Sequence, residues 1–287
     1  MRTRSPMATS IKSNPNSGSA QECKTILCMK WGTKYSPIYV NRLYSMIRRN
    51  LSYPFQLICF TDDATGLHPE IKALSLPELG CDEPKKSRGK WRKVALWNAQ
   101  LHDETPRGPA LFIDLDSIIV GNIDSYFDFG HPKDVILDHN WARPMSGMGQ
   151  TSVFRFYIGS HPEILEKFRS DPQSIADQFR FEQHFITHCI GNNLKFWPQG
   201  WTRHFRLHCL GPLPLRYIRA ACLPSNSKII TFPGGPNPSD AVDGRWSPDS
   251  AAYKGRRTHL KQCIKERNWG ALRRFIMPVD WIKETWK

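Results

Sequence analysis

The chain has 287 residues and a net charge of +14, from 40 Lys+Arg against 26 Asp+Glu. That length buries a core without disulfide staples, as one large domain or two small ones, and the charge favours anionic partners: nucleotide phosphates, nucleic acid or an acidic membrane face. The eight cysteines form no C-x-x-C pair, which argues against a zinc site or disulfide framework and for a reduced cytoplasmic protein, and no apolar run nears the ~20 residues of a spanning helix.

Residues 1–21 are rich in Ser, Asn, Pro and Arg, and the first acid is Glu22. The composition predicts a disordered tail. It also suits a transit peptide, except that Pro6, Pro15 and the Asn/Gly content spoil an amphipathic helix. Thr25 to Lys30 reads as a strand and Trp31-Gly32-Thr33 as a turn. Ser36 stands at an N-cap position with Pro37 in the first helical turn. Ile38, Leu43, Ile47 and Leu51 keep one helical face. Phe55 to Thr61 is a second strand ending at Asp62 and Asp63, and Ile71 to Leu74 a third. This order predicts a βαβ unit and a mostly parallel sheet.

Residues 77–90 read as a loop carrying Lys85, Lys86, Arg88 and Lys90. A helix is expected over Lys90–Leu101, with Trp91, Val94, Ala95 and Leu101 on one face. It places Lys90 and Lys93 one turn apart, either as a solvated face or as a phosphate clamp.

The segment 111–124, LFIDLDSIIVGNID, is the most informative. Asp114 and Asp116 end an apolar strand. In an extended segment residues i and i+2 point the same way. Paired carboxylates there suit Mg²⁺ or Mn²⁺, which accept one or two protein carboxylates and leave room for substrate phosphates.

Val135–Leu137 and Ser152–Tyr157 read as strands flanking a Gly/Met/Pro-rich loop at 141–151. One helix opens at Ser160/Pro162, another follows Pro172, and Glu182–Gln183 starts a third segment with Phe185, Ile186, Cys189 and Ile190. FWPQGW occupies 196–201. Lys228–Phe232 is a late strand running into PGGPNP at 233–238. Residues 251–287 are basic with interspersed Leu260, Ile264, Trp269, Leu272, Trp281 and Trp286. They predict a helical extension that packs on the main domain, 22–250, or docks on a membrane surface.

A helix carrying KVALW just before an apolar strand and D-x-D resembles the GT-A glycosyltransferases, above all glycosyltransferase family 8 and its bacterial relatives. The matching residues are Lys93, Val94 and Trp97, then Asp114 and Asp116, with Tyr35 after the first strand and Glu182–Gln183 past the middle. The resemblance covers roughly residues 24–240. It implies a single GT-A-like α/β domain with a Rossmann-like sheet. It also implies a metal-dependent transferase moving sugar from a nucleotide-diphosphate sugar, a UDP-sugar, to a hydroxyl acceptor on a carbohydrate or glycolipid. The family's late H-x-x-G-x-x-K-P motif matches at Gly234 and Pro238 but has Thr231 at the His position and Asn237 at the Lys position. Water, or Thr231, is then expected to complete the metal's coordination, and Lys30, Arg88, Lys90 or Lys93 to supply the missing charge.

On this reading Asp114 and Asp116 hold Mn²⁺ or Mg²⁺. Lys30, Trp31, Gly32, Tyr35, Asp62, Lys90, Lys93, Asp114, Gly234 and Gly235 receive the donor, and Glu182 and Lys93 are the catalytic candidates. Negative charge grows on the departing diphosphate, where a divalent ion and Lys93 would stabilise it. Glycines at 234–235 let main-chain amides approach phosphates. Tyr35 or Trp31 would stack on the base. Glu182 would face the reacting sugar, or serve as base in an inverting reaction, as would Asp138. Trp197 and Trp201 are candidates for an acceptor platform. The enzyme is expected in the cytoplasm, with peripheral contact to the inner membrane face and no nucleic-acid partner. Two other readings remain open on the residues alone. One is a haloacid-dehalogenase-type phosphatase with Asp114 as nucleophile. The other is a non-catalytic basic module for nucleic acid or lipid.

Overall fold

The structure, a computed structural model, describes residues 22–250 and 253–287. The expected tail at 1–21 lies outside them. Among the described residues ten strands build two sheets: β1 Lys24–Lys30, β2 Phe55–Thr61, β3 Lys72–Leu74, β4 Pro109–Ile113, β5 Ser117–Ile119, β6 Ile136–His139, β7 Gly149–Tyr157, β8 Lys195–Phe196, β9 Thr202–His204 and β10 Ile229–Thr231. The larger sheet runs β3-β2-β1-β4-β7-β6-β8 and the smaller one β5-β10-β9. In the larger sheet only β7 is antiparallel to its neighbours. The sheet is therefore mostly parallel.

The helices are α1 Pro37–Asn50, α2 Ser125–Asp128, α3 Pro162–Ser170, α4 Pro172–Gln178, α5 Glu182–Ile190, α6 Pro238–Val242, α7 Arg256–Lys265 and α8 Asp280–Thr285. In α1, Val40, Leu43, Tyr44, Met46 and Ile47 are buried against one sheet face. Pro37 sets its first turn, whereas the Ser36 side chain makes no capping bond. Ile38, expected on the buried face, is 54% exposed.

The other face is covered by α3, α5 and the segment before β4. That segment departs from expectation. Instead of an α-helix over Lys90–Leu101 there is a 3₁₀ run over Arg92–Trp97. Val94, Ala95, Leu96 and Trp97 are all buried, as is Trp91. Consecutive buried residues cannot share one stripe of an α-helix, which turns about 100° per residue. A short, tight turn enclosed on all sides accommodates them. Lys90 and Lys93 accordingly part: Lys90 is exposed and Lys93 turns inward.

The D-x-D segment also differs. β4 belongs to the larger sheet and β5 to the smaller one, so the chain must cross between sheets where the acids stand. Asp114 still donates its backbone N–H to Ser152 O, at 2.8 Å, and Leu115–Asp116 then form a turn. Leu115 is buried in the core and both carboxylates stay together at the joint.

The residues after 253 contribute to the same core. Ile276, Val279, Ile282 and Trp286 are buried among residues of α1 and β5. Outside that anchor, α7 buries only Cys263. No described helix is long and apolar enough to cross a membrane.

Candidate active site

Three chain segments converge at one end of the smaller sheet. β5 runs antiparallel to β10, so the D-x-D turn that enters β5 lies where β10 ends. The backbone confirms it: Phe232 N–H donates to Asp116 O at 2.9 Å. β9 runs parallel to β10, so its exit, residues 205–206, lies at the same end. The exit of β10 is Gly234–Gly235, both with left-handed φ of +73° and +75°. A side chain there would be strained, which is why two glycines occupy it.

Lys93 reaches the D-x-D turn from the 3₁₀ run. Its Nζ lies 2.8 Å from Asp114 Oδ1 and donates to Thr151 O at 2.9 Å. Burial works to lower its pKa, but Asp114 and Glu182 outweigh burial and hold it above the usual lysine range. Tyr35 donates its hydroxyl to Asp116 Oδ2 at 2.9 Å. Burial and Asp116 keep that phenol protonated well beyond neutral pH. Asp116 itself is pushed up to about 6, by burial first and the charge of Asp114 second.

Glu182 is the first residue of α5 and is buried. Its Oε1 accepts a 2.7 Å bond from Thr151 Oγ1. Burial raises its pKa against the opposing pull of Lys93. Thr151 thus ties Lys93 and Glu182 together, and Asp114, Asp116, Lys93 and Glu182 form one electrostatic cluster.

The other sequence candidates divide. Gly32 N–H donates to Asp62 Oδ2 at 2.8 Å, closing the ends of β1 and β2. Lys30 is buried and donates to Asp63 O at 3.0 Å, so its ammonium holds the loop after β2. Trp31 is half-buried against the core. Lys90 and Arg88 lie exposed in the loop before the 3₁₀ run. Thr231 is fully buried and its hydroxyl donates to Arg203 O at 3.4 Å. It is thereby occupied within the small sheet, which disfavours it as a ligand.

Trp197, a candidate for an acceptor platform or for core packing, is core: it is 2% exposed and its Nε1 donates to Val153 O. It forms one wall of a cavity of about 240 Å³ lined also by Asp138, His139, Trp141, Thr202, Arg203 and His208. Trp201 stacks behind it and does not line the cavity. Asp138 is 4% exposed, and among the described residues its Oδ2 has no partner. Burial holds its carboxyl well above the usual range. In the β6–β7 register Asp138 stands opposite Gln150; Thr151, the next residue, points to the other face of the sheet.

One residue of this region carried no signal in sequence. Arg206 follows β9 in a π-helical turn, Phe205–Cys209. Its guanidinium lies over Gly234, with Nη2 3.6 Å from where a Cβ on that residue would stand.

No protein-family model matches the sequence, and no curated protein matches it. Solved structures do. The galactosyltransferase LgtC, in complex with donor and acceptor sugar analogs, superposes with a TM-score of 0.55 at 10% identity, over 91% of this chain and 99% of that one. The glycosyltransferase GlyE of Streptococcus pneumoniae TIGR4 gives 0.53 at 10% identity, over 92% of this chain and 65% of that one. The bifunctional glycosyltransferase WbbM gives 0.52 at 11% identity, and the match spans 79% of this chain but only 48% of WbbM.

The fold is that of the GT-A glycosyltransferases. Within the GT-A fold the D-x-D turn stands at the joint of the two sheets, which gives the carboxylates their setting. The donor set also suits a hard cation. Two carboxylates lie side by side, and burial with the charge of Asp114 makes the buried one take a proton more readily than normal despite the opposing pull of Lys34 and Lys93. Among the described residues no third His, Cys, Asp or Glu joins them. Mg²⁺ and Mn²⁺ tolerate so few protein ligands when substrate phosphates complete the shell.

Proposed function

We propose that this protein transfers a sugar from a UDP-sugar to a hydroxyl acceptor, with Asp114 and Asp116 holding Mn²⁺ or Mg²⁺. The observation that carries the reading is the convergence of the D-x-D turn, Lys93, Glu182 and the Gly234–Gly235 turn at one end of the small sheet. A bound ion would supply positive charge against the leaving diphosphate. Lys93 adds a fixed ammonium beside it, already oriented by Asp114 and Thr151, so no reorganisation is needed as charge develops. Tyr35 keeps Asp116 in place. Glu182 presents a buried carboxyl to the reacting sugar, and Asp138 offers an unsatisfied carboxyl to an acceptor hydroxyl in the Trp141/Trp197 cavity.

The phosphatase alternative needs Asp114 free for attack, yet both its oxygens lie within 3.1 Å of Lys93 Nζ, and the fold is GT-A. A thermal-shift panel tests the transferase reading. UDP with Mn²⁺ should raise Tm by several degrees, and EDTA should abolish the gain. No shift with any nucleotide, with or without Mn²⁺, would defeat it.

The C-terminal face supports a peripheral membrane contact. Leu260 and Ile264 lie one turn apart on α7, exposed together with Trp269, and Arg256, Arg257, Lys261, Lys265 and Arg267 surround them. Apolar side chains ringed by cations suit an anionic bilayer surface. Sedimentation should show binding to phosphatidylglycerol vesicles that Trp269→Ala/Ile264→Ala weakens severalfold. Equal binding to neutral vesicles would count against the electrostatic part.

A further inference from the structure

We propose that Arg206 is the residue that grips the diphosphate of the nucleotide donor, a role that rests on the transferase reading above. Four observations carry it. The first is position. β9 and β10 are parallel and β5 antiparallel to β10, with Thr231 aligned to both Ser117 and His204. Arg206 therefore leaves the sheet beside the D-x-D turn and the Gly234–Gly235 turn. The second is aim. Nη2 lies 3.6 Å from the point a Gly234 Cβ would occupy, so the guanidinium stands over the bare backbone of Gly234.

The third is charge. Among the described residues Arg206 makes no ion pair and its side chain makes no hydrogen bond, and its Nε is buried without a partner. Its charge is felt locally: after burial, it is the next cause holding His204 down to about 4. A half-buried guanidinium beside a neutral His has five N–H donors and no anion to receive them. The fourth is support. The guanidinium carbon lies 6.0 Å from the centre of the Trp246 ring, and the Arg206 backbone N–H donates to His204 Nδ1 at 3.1 Å. The Trp246 ring thus packs near the guanidinium, and the backbone bond to His204 fixes where the side chain leaves the chain.

A guanidinium fork matches two phosphate oxygens at once, whereas an ammonium meets them as a point charge. Arg206 and the metal pair would flank the diphosphate. Arg206 takes the place of Lys30, Arg88 and Lys90 as the cation the donor requires: Lys30 is spent on Asp63 O, and Arg88 and Lys90 lie in the exposed loop.

Calorimetry of UDP, UMP and inorganic diphosphate, each with Mn²⁺, into wild type, Arg206→Lys and Arg206→Met tests this, with Tm recorded for each protein. Arg206→Met should weaken UDP about tenfold or more, and change UMP by less than about threefold, since charge-assisted hydrogen bonds to the outer phosphate are lost. Arg206→Lys should fall between, having charge but no fork. If Arg206→Met does not fold, the Arg206→Lys comparison decides. Equal losses for UDP and UMP, or an unchanged UDP affinity, would overturn the assignment. Wild type that binds inorganic diphosphate in an Arg206-dependent way but ignores UDP would defeat the donor reading and leave Arg206 as an anion site. Wild type that binds neither would defeat both.

Discussion

Asp114→Asn and Asp116→Asn are expected to abolish metal-dependent UDP binding alike, and yet to move stability in opposite directions. Transfer should fall at least about a hundredfold in each, because electrostatic stabilisation of the leaving group is the main work asked of this site. Stability separates them because their partners differ. Asp114 neutralises Lys93, which has little contact with solvent. Removing that anion leaves a buried ammonium with only the weaker pull of Glu182 and Asp116, a change that costs about 3–5 kcal/mol where a pair is fully buried. Asp116 is the reverse case. Its carboxyl is pushed up to about 6 by burial and by Asp114, above the value of an unfolded aspartate. Between roughly pH 4 and 6 the folded state therefore binds the extra proton, so stability falls as pH rises through that window, and the penalty is complete above it. Asn carries no such penalty. In EDTA at pH 7.5, Asp116→Asn should melt higher than wild type, and the advantage should vanish near pH 4. Melting curves across pH check it. An Asp116→Asn protein that melts well below wild type at pH 7.5 would show that the two carboxylates are not in conflict. Two variants that both retain Mn²⁺-dependent UDP binding would remove the metal assignment.

The first half of the fold was legible because strands and breaks there follow local rules. β1, β2 and α1 emerged within a residue or two, since apolar runs bounded by Gly, Asp and Ser-Pro leave few alternatives. The segment before β4 was not legible for a tertiary reason. KVALW has the apolar content of a helix, but burial on every side chose a 3₁₀ turn. D-x-D was read correctly as a pair and wrongly as extended, because nothing local says that the chain changes sheets between Ile113 and Ser117. Lys93 and Glu182 share a cluster although 89 positions separate them in sequence. Only the order of the ladder could place them. Arg206 stayed invisible because its neighbours, His204 through Cys209, show no periodicity or motif. What marks it is the parallel pairing of β9 with β10. Asp138 was named from sequence only as a candidate base; its burial and the unpartnered Oδ2 are properties of the packed cavity.

Glu182→Gln is expected to leave a better-folded protein that no longer transfers sugar. The amide oxygen of Gln can still accept the Thr151 hydroxyl, now 2.7 Å from Glu182 Oε1, so the local packing survives. What disappears is a buried charge. Burial raises the Glu182 pKa in the folded state, so the folded protein binds a proton more tightly than the unfolded one. Stability then falls as pH rises from the ordinary glutamate range through the raised value, and the Gln variant escapes that loss. Its Tm at neutral pH should be equal to or higher than wild type. Glu182→Ala should instead melt lower, because it leaves the Thr151 hydroxyl unpaired and opens a void beside Lys93. Transfer should drop about 10²–10³-fold in both variants, while UDP binding with Mn²⁺ stays within about threefold, since the proposed role sets Glu182 at the sugar rather than at the diphosphate. The wild-type rate should also decline on the acid side at a pH above the ordinary carboxylate range, a limb absent from the residual activity of Glu182→Gln. Rates near wild type in Glu182→Gln, or a loss of UDP binding as large as the loss of rate, would make Glu182 a structural partner of Thr151 and nothing more.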